Sequence, residues 1–334
     1  MEKEALLYQS LYGGVVQCRL CAHRCRITEG ESGFCGVRYN RDGILFTRAY
    51  GNPVARHVDP VEKKPLYHFL PGSRCYSIAT AGCNFRCGFC QNWRISQAAP
   101  ADDGRSLFLS PERVAAEAKQ SGAAAIAFTY TEPTIFYEYA RDIALEVKKN
   151  GLKTVFVTNG YMSRQLLEDA AVWLDAANVD LKSWSDDYYR ENCAGHLQPV
   201  LKTIAYLKQL CVWVEVTTLI IPGENDSDEE LAGIAGFIAA TGKDIPWHIS
   251  RFHPDYRFDG HSATPLETME RARRFGYEAG LQYVYLGNIA GENDTDCPAC
   301  GKTVVHRSMS GIRSVELDKG RCRYCGRAVH GRWE

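Results

Sequence analysis

Fourteen cysteines stand in a chain of 334 residues, and most of them are grouped. Cys18, Cys21, Cys25 and Cys35 form a head set, Cys83, Cys87 and Cys90 a middle set, and Cys297, Cys300, Cys322 and Cys325 a tail set. Cys75, Cys193 and Cys211 stand singly. Thiolates in threes and fours at short spacing are what soft metals need: zinc takes four, and iron–sulfur clusters are held the same way. The middle set reads C-x3-C-x2-C within the run TAGCNFRCGFCQNW over residues 80–93. Three protein thiolates on a four-iron cluster leave one iron open to another ligand. A structural zinc site would fill all four positions, and no fourth ligand stands in this motif. Gly82 and Gly88 let the loop fold tightly around a bulky inorganic object.

The tail set forms two C-x2-C-G knuckles, a spacing that chelates one tetrahedral ion in a small zinc ribbon. Between them, TVVHRSMSG and IRSVELDKG predict short strands. Rubredoxin-type iron is the alternative, since it too takes four thiolates. So short a segment folds poorly by burial alone, so the ion would supply much of its stability in a structural role. Arg307, Arg313, Arg321, Arg323 and Arg327 raise a nucleic-acid ribbon, but no stacking-aromatic pattern accompanies them. The head set reads C-x2-C-x3-C-x9-C, with knuckle spacing in one pair only. Zinc fixing the head to the rest is one reading and an auxiliary iron–sulfur cluster the other. His23 and His57 could substitute as ligands. Cys211 reads as core in an apolar strand. Cys193, in NCAGH, falls on a loop where a substrate-side thiol or a small buried residue would fit.

These side chains need a frame. From Cys75 to about Asn288 the runs CYSIATAGC, AAAIAFTYTEP, TVFVTNG, AANVDLKS, VWVEVTTLIIPG and PWHISRFHP predict strands, being short, apolar and β-branched. Helical patterns alternate with them. Ser110–Pro111 predicts a cap and first-turn proline, with Gly122 as the stop. Phe136, Tyr139, Ile143 and Val147 make a stripe closed by Gly151, and Ser227 with Glu230 reads as a capping box. Six β–α units suit an α/β fold built as an open, partial (β/α)6 barrel, to which YVYLGN could add a last strand. The chain then divides into a Cys-rich extension (1–70), the barrel (71–290) and a zinc-ribbon-like segment (291–334). Loops after the strand C-termini should form the site. There fall Cys83–Cys90, Glu132, Thr158, Asn159, Asp180, Lys182, His253 and Asp255.

The net charge of −1 gives no bulk electrostatic case for nucleic acid or membrane. No apolar run is long enough to span a bilayer, and the first residues, MEKEALLYQS, lack a signal-peptide core. A cytoplasmic setting with reduced thiols is expected.

The middle motif, with Phe89 before its third cysteine, resembles that of the radical S-adenosylmethionine (SAM) superfamily, and Gln91-Asn92 resembles its activating-enzyme branch. The resemblance implies a [4Fe-4S] cluster on Cys83, Cys87 and Cys90 whose open iron chelates SAM. Its sulfonium is cleaved reductively to methionine and a 5′-deoxyadenosyl radical, which abstracts hydrogen from a substrate the sequence does not identify. It also implies SAM contacts from Phe89, Glu132 (in YTEP), Thr158 and Asn159 (in TNG), Asp180 and Lys182 (in DLK), and from Thr218 at the ribose. An electron donor such as flavodoxin or ferredoxin is implied as well. The head run VQCRLCAHRC with GFCGVR, then EKKPLYHFLPGS, then CNFRCGFCQNWRISQ, resembles the AmmeMemoRadiSam-system radical enzymes, which implies Memo-type and Amme-type partner proteins. A glycyl-radical-enzyme activase is the rival function; a non-catalytic metal scaffold or nucleic-acid binder is the rival from another class.

Overall fold

The computed structural model describes residues 3–98, 108–289, 291, 293–308 and 311–334. Its centre is an eight-stranded sheet whose strands are neighbours in chain order: β1 (Pro53–Pro60), β2 (Arg74–Thr80), β3 (Ala125–Phe128), β4 (Lys153–Thr158), β5 (Ala176–Asp180), β6 (Trp213–Ile220), β7 (Trp247–Arg251) and β8 (Val284–Gly287). β2 to β8 run parallel and β1 pairs antiparallel with β2. Helices α1 (Pro111–Gln120), α2 (Tyr137–Lys149), α3 (Arg164–Ala170), α4 (Leu197–Gln209), α5 (Asp228–Thr241) and α6 (Leu266–Glu278) fall between successive strands from β2 on. This is an open barrel of right-handed β–α units, as the alternation predicted, with the last run, YVYLGN, present as β8.

The helix ends follow local chemistry. Ser110 caps α1 by accepting from the Arg113 amide, and Ser227 caps α5 by accepting from that of Glu230. The reciprocal arm of the expected capping box is not made. Glu230 instead turns its carboxylate to the Ser183 hydroxyl at 2.7 Å and the Trp184 amide at 2.6 Å, pinning the loop after β5.

Two departures from the expected division concern residues 1–70. β1 belongs to the barrel sheet, so the head's own structure ends before residue 53. The next segment then enters the barrel from below. Val61, Leu66 and Phe69 pack in one cluster with the inward-facing Cys75, Ala125, Ala127, Val155, Ala176 and Trp213. The buried Glu215 carboxylate on β6 accepts from the amides of Tyr67 (3.0 Å) and His68 (2.8 Å), from the Trp213 indole (3.0 Å) and from His248 (2.6 Å). The barrel therefore has a sealed floor.

The head consists of two small antiparallel sheets, Tyr8–Ser10/Val16–Cys18/Arg26–Ile27 and Lys3–Glu4/Ile44–Thr47/Arg38–Arg41. It is fastened to α2 by the buried Arg38–Glu138 ion pair and to the loop after β4 by a Cys21–Met162 bridge. The tail makes the expected strands, Thr303–Ser308 paired with Gly311–Val315; Met309 and Ser310 of the predicted run lie outside the described residues. Its apolar side shares a core with Tyr283 and Tyr285 of β8. Cys211, expected in a strand core, is instead exposed in the turn before β6, with a positive φ of 62°.

Candidate active site and metal centres

At the C-terminal end of the parallel strands lies a cavity of about 320 Å3, bordered by Cys83, Cys87 and Cys90 together with Phe89, Glu132, Thr158, Asn159, Asp180 and Lys182. The sequence assigned these residues to one site from four separate segments, and the fold brings them together. Thr218 is not among them. Side chains alternate along a strand: Trp213, Glu215, Thr217 and Leu219 face the barrel interior, and Thr218 faces the helices. Its hydroxyl donates to the Leu181 carbonyl at 2.8 Å and accepts from the Trp247 indole at 2.9 Å. Thr217 and Leu219 line the cavity in its place. From β7 the cavity is lined by Ser250, within the strand, and not by His253 or Asp255, which follow it.

The cysteine loop is held from behind. Gly82 has a φ of +100°, and a Cβ there would stand 2.7 Å from the Val37 side chain. A Cβ on Gly88 would stand 2.7 Å from the Phe258 ring. The Phe85 amide donates to Cys83 Sγ at 3.3 Å, and the Ser96 hydroxyl lies 3.2 Å from Cys90 Sγ. Cys193 is fully buried behind the loop, on the turn whose carbonyls of Cys193 and Asn192 accept from the Arg86 and Gly88 amides. A hydrogen bond from the Cys193 thiol to Cys87, helped by the Lys182 charge against the cost of burial, pushes the Cys87 thiol below its usual pKa. Cys193 is therefore a buried support for the loop.

Glu132 is a bracket. One carboxylate oxygen accepts from the Thr134 amide (3.0 Å), the Thr134 hydroxyl (2.5 Å) and the Thr158 hydroxyl (2.7 Å), and the other from the Asn159 amide (2.8 Å). Burial raises its pKa in spite of these donors. Asn159, so fixed, donates to the Asn84 side chain at 2.7 Å and reaches Cys83 Sγ at 3.8 Å. Lys182 pairs with Asp180 at 2.8 Å and lies 5.7 Å from the Phe89 ring centroid. Burial disfavours its charge, but Asp180 and Cys87 overcome this and keep it a firm cation.

The opposite wall was not anticipated. Lys63 and Lys64, from the EKKPL run, and Tyr130 border the cavity from the floor segment and the end of β3. Tyr130 holds a positive φ of 64°, a strained conformation of the kind found at functional sites. Its hydroxyl donates to Asp59 at 2.5 Å, and Asp59 also accepts from Lys64 (2.7 Å) and Ser77 (2.9 Å). Burial opposes ionisation of Asp59, yet these donors hold its pKa at about 2. No spacing rule marks this wall, because its members meet only in three dimensions.

The three cysteine sets differ in geometry. In the tail, Cys297–Cys325 and Cys300–Cys322 sulfurs stand 3.7 and 3.8 Å apart. A tetrahedral ion with Zn–S bonds of ~2.3 Å requires a separation of about 3.8 Å. Among the described residues this is the one group of three or more His, Cys, Asp or Glu ligand atoms within 4.8 Å of one another. The middle trio is more widely spread, which fits an inorganic body between the thiolates and a fourth corner facing the cavity. The head thiols border a small hollow of their own, with His23 beside them. His23 Nε2 donates to the Asn84 carbonyl at 2.7 Å; His57 lies on β1, against Tyr130, and is not part of that hollow.

The sequence model of the Radical SAM superfamily matches residues 77–235. Over 332 residues the chain is 41% identical to an uncharacterized protein of Methanocaldococcus jannaschii, with 98% of each chain covered. It is 26% identical over 149 residues to the pyruvate formate-lyase 1-activating enzyme of Escherichia coli, an alignment spanning 41% of this chain and 61% of that one. The crystal structure of Streptococcus suis SuiB bound to S-adenosylmethionine superposes with a TM-score of 0.51 at 14% identity, covering 68% of this chain and 53% of that one, a likeness of fold. Among the described residues no helix is long and apolar enough to cross a membrane.

Proposed function

Because the chain belongs to the radical SAM superfamily, we propose that Cys83, Cys87 and Cys90 hold a [4Fe-4S] cluster at which SAM is cleaved reductively. The radical produced would abstract hydrogen from a substrate in the same cavity. The observation that carries this is the placement of three thiols, a part-buried cation and a bracketed carboxylate around one cavity at the strand ends. When bound, the cluster and SAM supply the electron and the 5′-deoxyadenosyl group; the protein's task is to orient them and exclude water. Lys182 offers its ammonium to a carboxylate as a point charge. Glu132 leaves one oxygen with a single donor, and that oxygen can accept from an amino group. Asn159 carries the position of Glu132 to the cysteine loop. Lys63, Lys64 and Tyr130 form the face left for substrate.

The tail is assigned a structural zinc ion, supported by its sulfur separations. A glycyl-radical-enzyme activase is the second reading, favoured by the similarity to the activating enzyme. The motif resemblance supports assignment to the AmmeMemoRadiSam system, with Memo-type and Amme-type partners and a flavodoxin- or ferredoxin-class donor. Free cysteines throughout suit a reducing, cytoplasmic setting. The deciding experiment incubates anaerobically reconstituted protein with dithionite and SAM. 5′-Deoxyadenosine and methionine should form, and Cys83→Ala/Cys87→Ala/Cys90→Ala protein should form neither. Full cleavage by that variant would sink the reading.

A further inference from the structure

We infer that the head set, Cys18, Cys21, Cys25 and Cys35, holds a redox-active iron–sulfur cluster through which electrons enter the catalytic site. The first ground is size. The tail shows how four thiols stand around a single ion, with sulfurs 3.7 and 3.8 Å apart. In the head, no three thiols lie within 4.8 Å of one another, although all four border one small hollow. The middle trio likewise falls outside that separation. A cluster places its own atoms between the cysteines and needs that spread, whereas one ion would draw the sulfurs into contact.

The second ground is the hydrogen bonding of the sulfurs. Arg38, fully buried, donates from its guanidinium to Cys18 Sγ at 3.1 Å, and the Phe34 amide donates to Cys25 Sγ at 3.4 Å. Donors to ligand sulfur stabilise the more negative, reduced state of a cluster and so set its potential. Arg38 is itself fixed by Glu138.

The third ground is position. Asn84, the residue after Cys83, borders the head hollow and the catalytic loop at once. His23 donates to its carbonyl, and the Cys35 carbonyl lies 3.3 Å from where a Gly82 Cβ would stand. Only a few bonds and one packed contact separate the two cysteine sets. Cys21, Cys25 and Cys35 are partly exposed, and none of them borders the cavity. An electron arriving there reaches the catalytic loop while substrate fills the cavity mouth. The step is a one-electron transfer: a flavodoxin- or ferredoxin-class donor is oxidised, the head cluster is reduced, and it is reoxidised as the catalytic cluster takes the electron.

This rests on the proposed function only for the electron's destination, and the metal test is independent of it. Cys83→Ala/Cys87→Ala/Cys90→Ala protein, reconstituted anaerobically with ferrous iron and sulfide, should still bind about four iron and four sulfide per chain beside about one zinc. Dithionite should bleach it and produce a reduced-cluster EPR signal. About two zinc and no sulfide would overturn the proposal. If the variant is insoluble, wild-type protein answers the same question. It should carry about eight iron and two EPR signals, only one of which changes on adding SAM; about four iron and a single signal would overturn it. Freeze-quenched reduction of wild type by flavodoxin should populate the SAM-insensitive signal first. Appearance of the SAM-sensitive signal first would overturn the electron-entry role.

Discussion

Lys182 brings its charge into the cavity because Asp180, 2.8 Å away, offsets the cost of burying it. Lys182→Ala should therefore weaken SAM binding on the order of 1–3 kcal/mol, roughly 5- to 150-fold, with the iron content of the protein unchanged. Equilibrium binding to the reconstituted variant measures this, and an unaltered Kd would remove Lys182 from the site. Glu132 is a poorer test residue than the motif suggested. Its four donors tie the ends of β3 and β4 together, so removing it should disturb Asn159 and the cysteine loop as well as the ligand. Cys193 offers a cleaner probe. Cys193→Ala should keep the catalytic cluster but lower its midpoint potential, because a donor to Cys87 is lost. An EPR-monitored redox titration with no shift would show that the thiol only fills space.

β6 separates the two adjacent threonines by the pleat alone. Thr218→Val should leave the Trp247 indole N–H without its acceptor, at a cost of about 1–3 kcal/mol in unfolding free energy, with SAM affinity intact. Lost affinity at unchanged stability would restore Thr218 to the ribose. The same pleat explains why sequence reasoning missed by one residue. A motif fixes the neighbourhood, while burial on both faces of a parallel strand hides which residues point inward. Strands, helix caps and the polar residues just past the first strand ends were legible, because each is written in a few consecutive residues. The second arm of the capping box was not, because Glu230 found better partners on another loop. Nor was the exposed turn at Cys211, whose apolar neighbours read as a continuous strand. Least legible was the floor, where His68 meets the carbonyl of a residue 262 positions away.

That floor joins the three parts of the molecule. His68 Nδ1 donates to the His330 carbonyl at 2.7 Å, so Nε2 must accept from the Tyr285 hydroxyl at 2.6 Å; Tyr285 in turn accepts from Thr295, which Arg307 holds. The imidazole is neutral in this chain of bonds, and burial pushes its pKa down from 6.5 to about 4. As pH falls below 6.5 the unfolded chain takes up this proton and the folded one does not. The contribution is whole above that pH and is lost progressively down to about 4. Thermal unfolding between pH 7 and 5 should show this slope, and His68→Asn should flatten it; equal slopes would mean His68 titrates normally. The tail ribbon shares its core with β8 and with Tyr67. Its metal should therefore stabilise more than the ribbon. Cys322→Ala/Cys325→Ala should lower the Tm of the whole barrel while the folded variant still cleaves SAM. A barrel transition at the wild-type temperature would mark the ribbon as independent.

The sealed floor also sets an order of events at the ribosome. Phe69 bridges to Arg332, so the plug cannot be locked until residues near 330 have been made and have emerged. At ~5–20 residues per second that interval lasts roughly ten seconds to a minute. Throughout it β2 to β7 can assemble around Val61, Leu66 and Phe69, while the backbone of Phe69 and the imidazole of His68 still lack their late partners. A stalled or prematurely ended chain would expose that underside, and quality control could recognise it by its missing last few dozen residues.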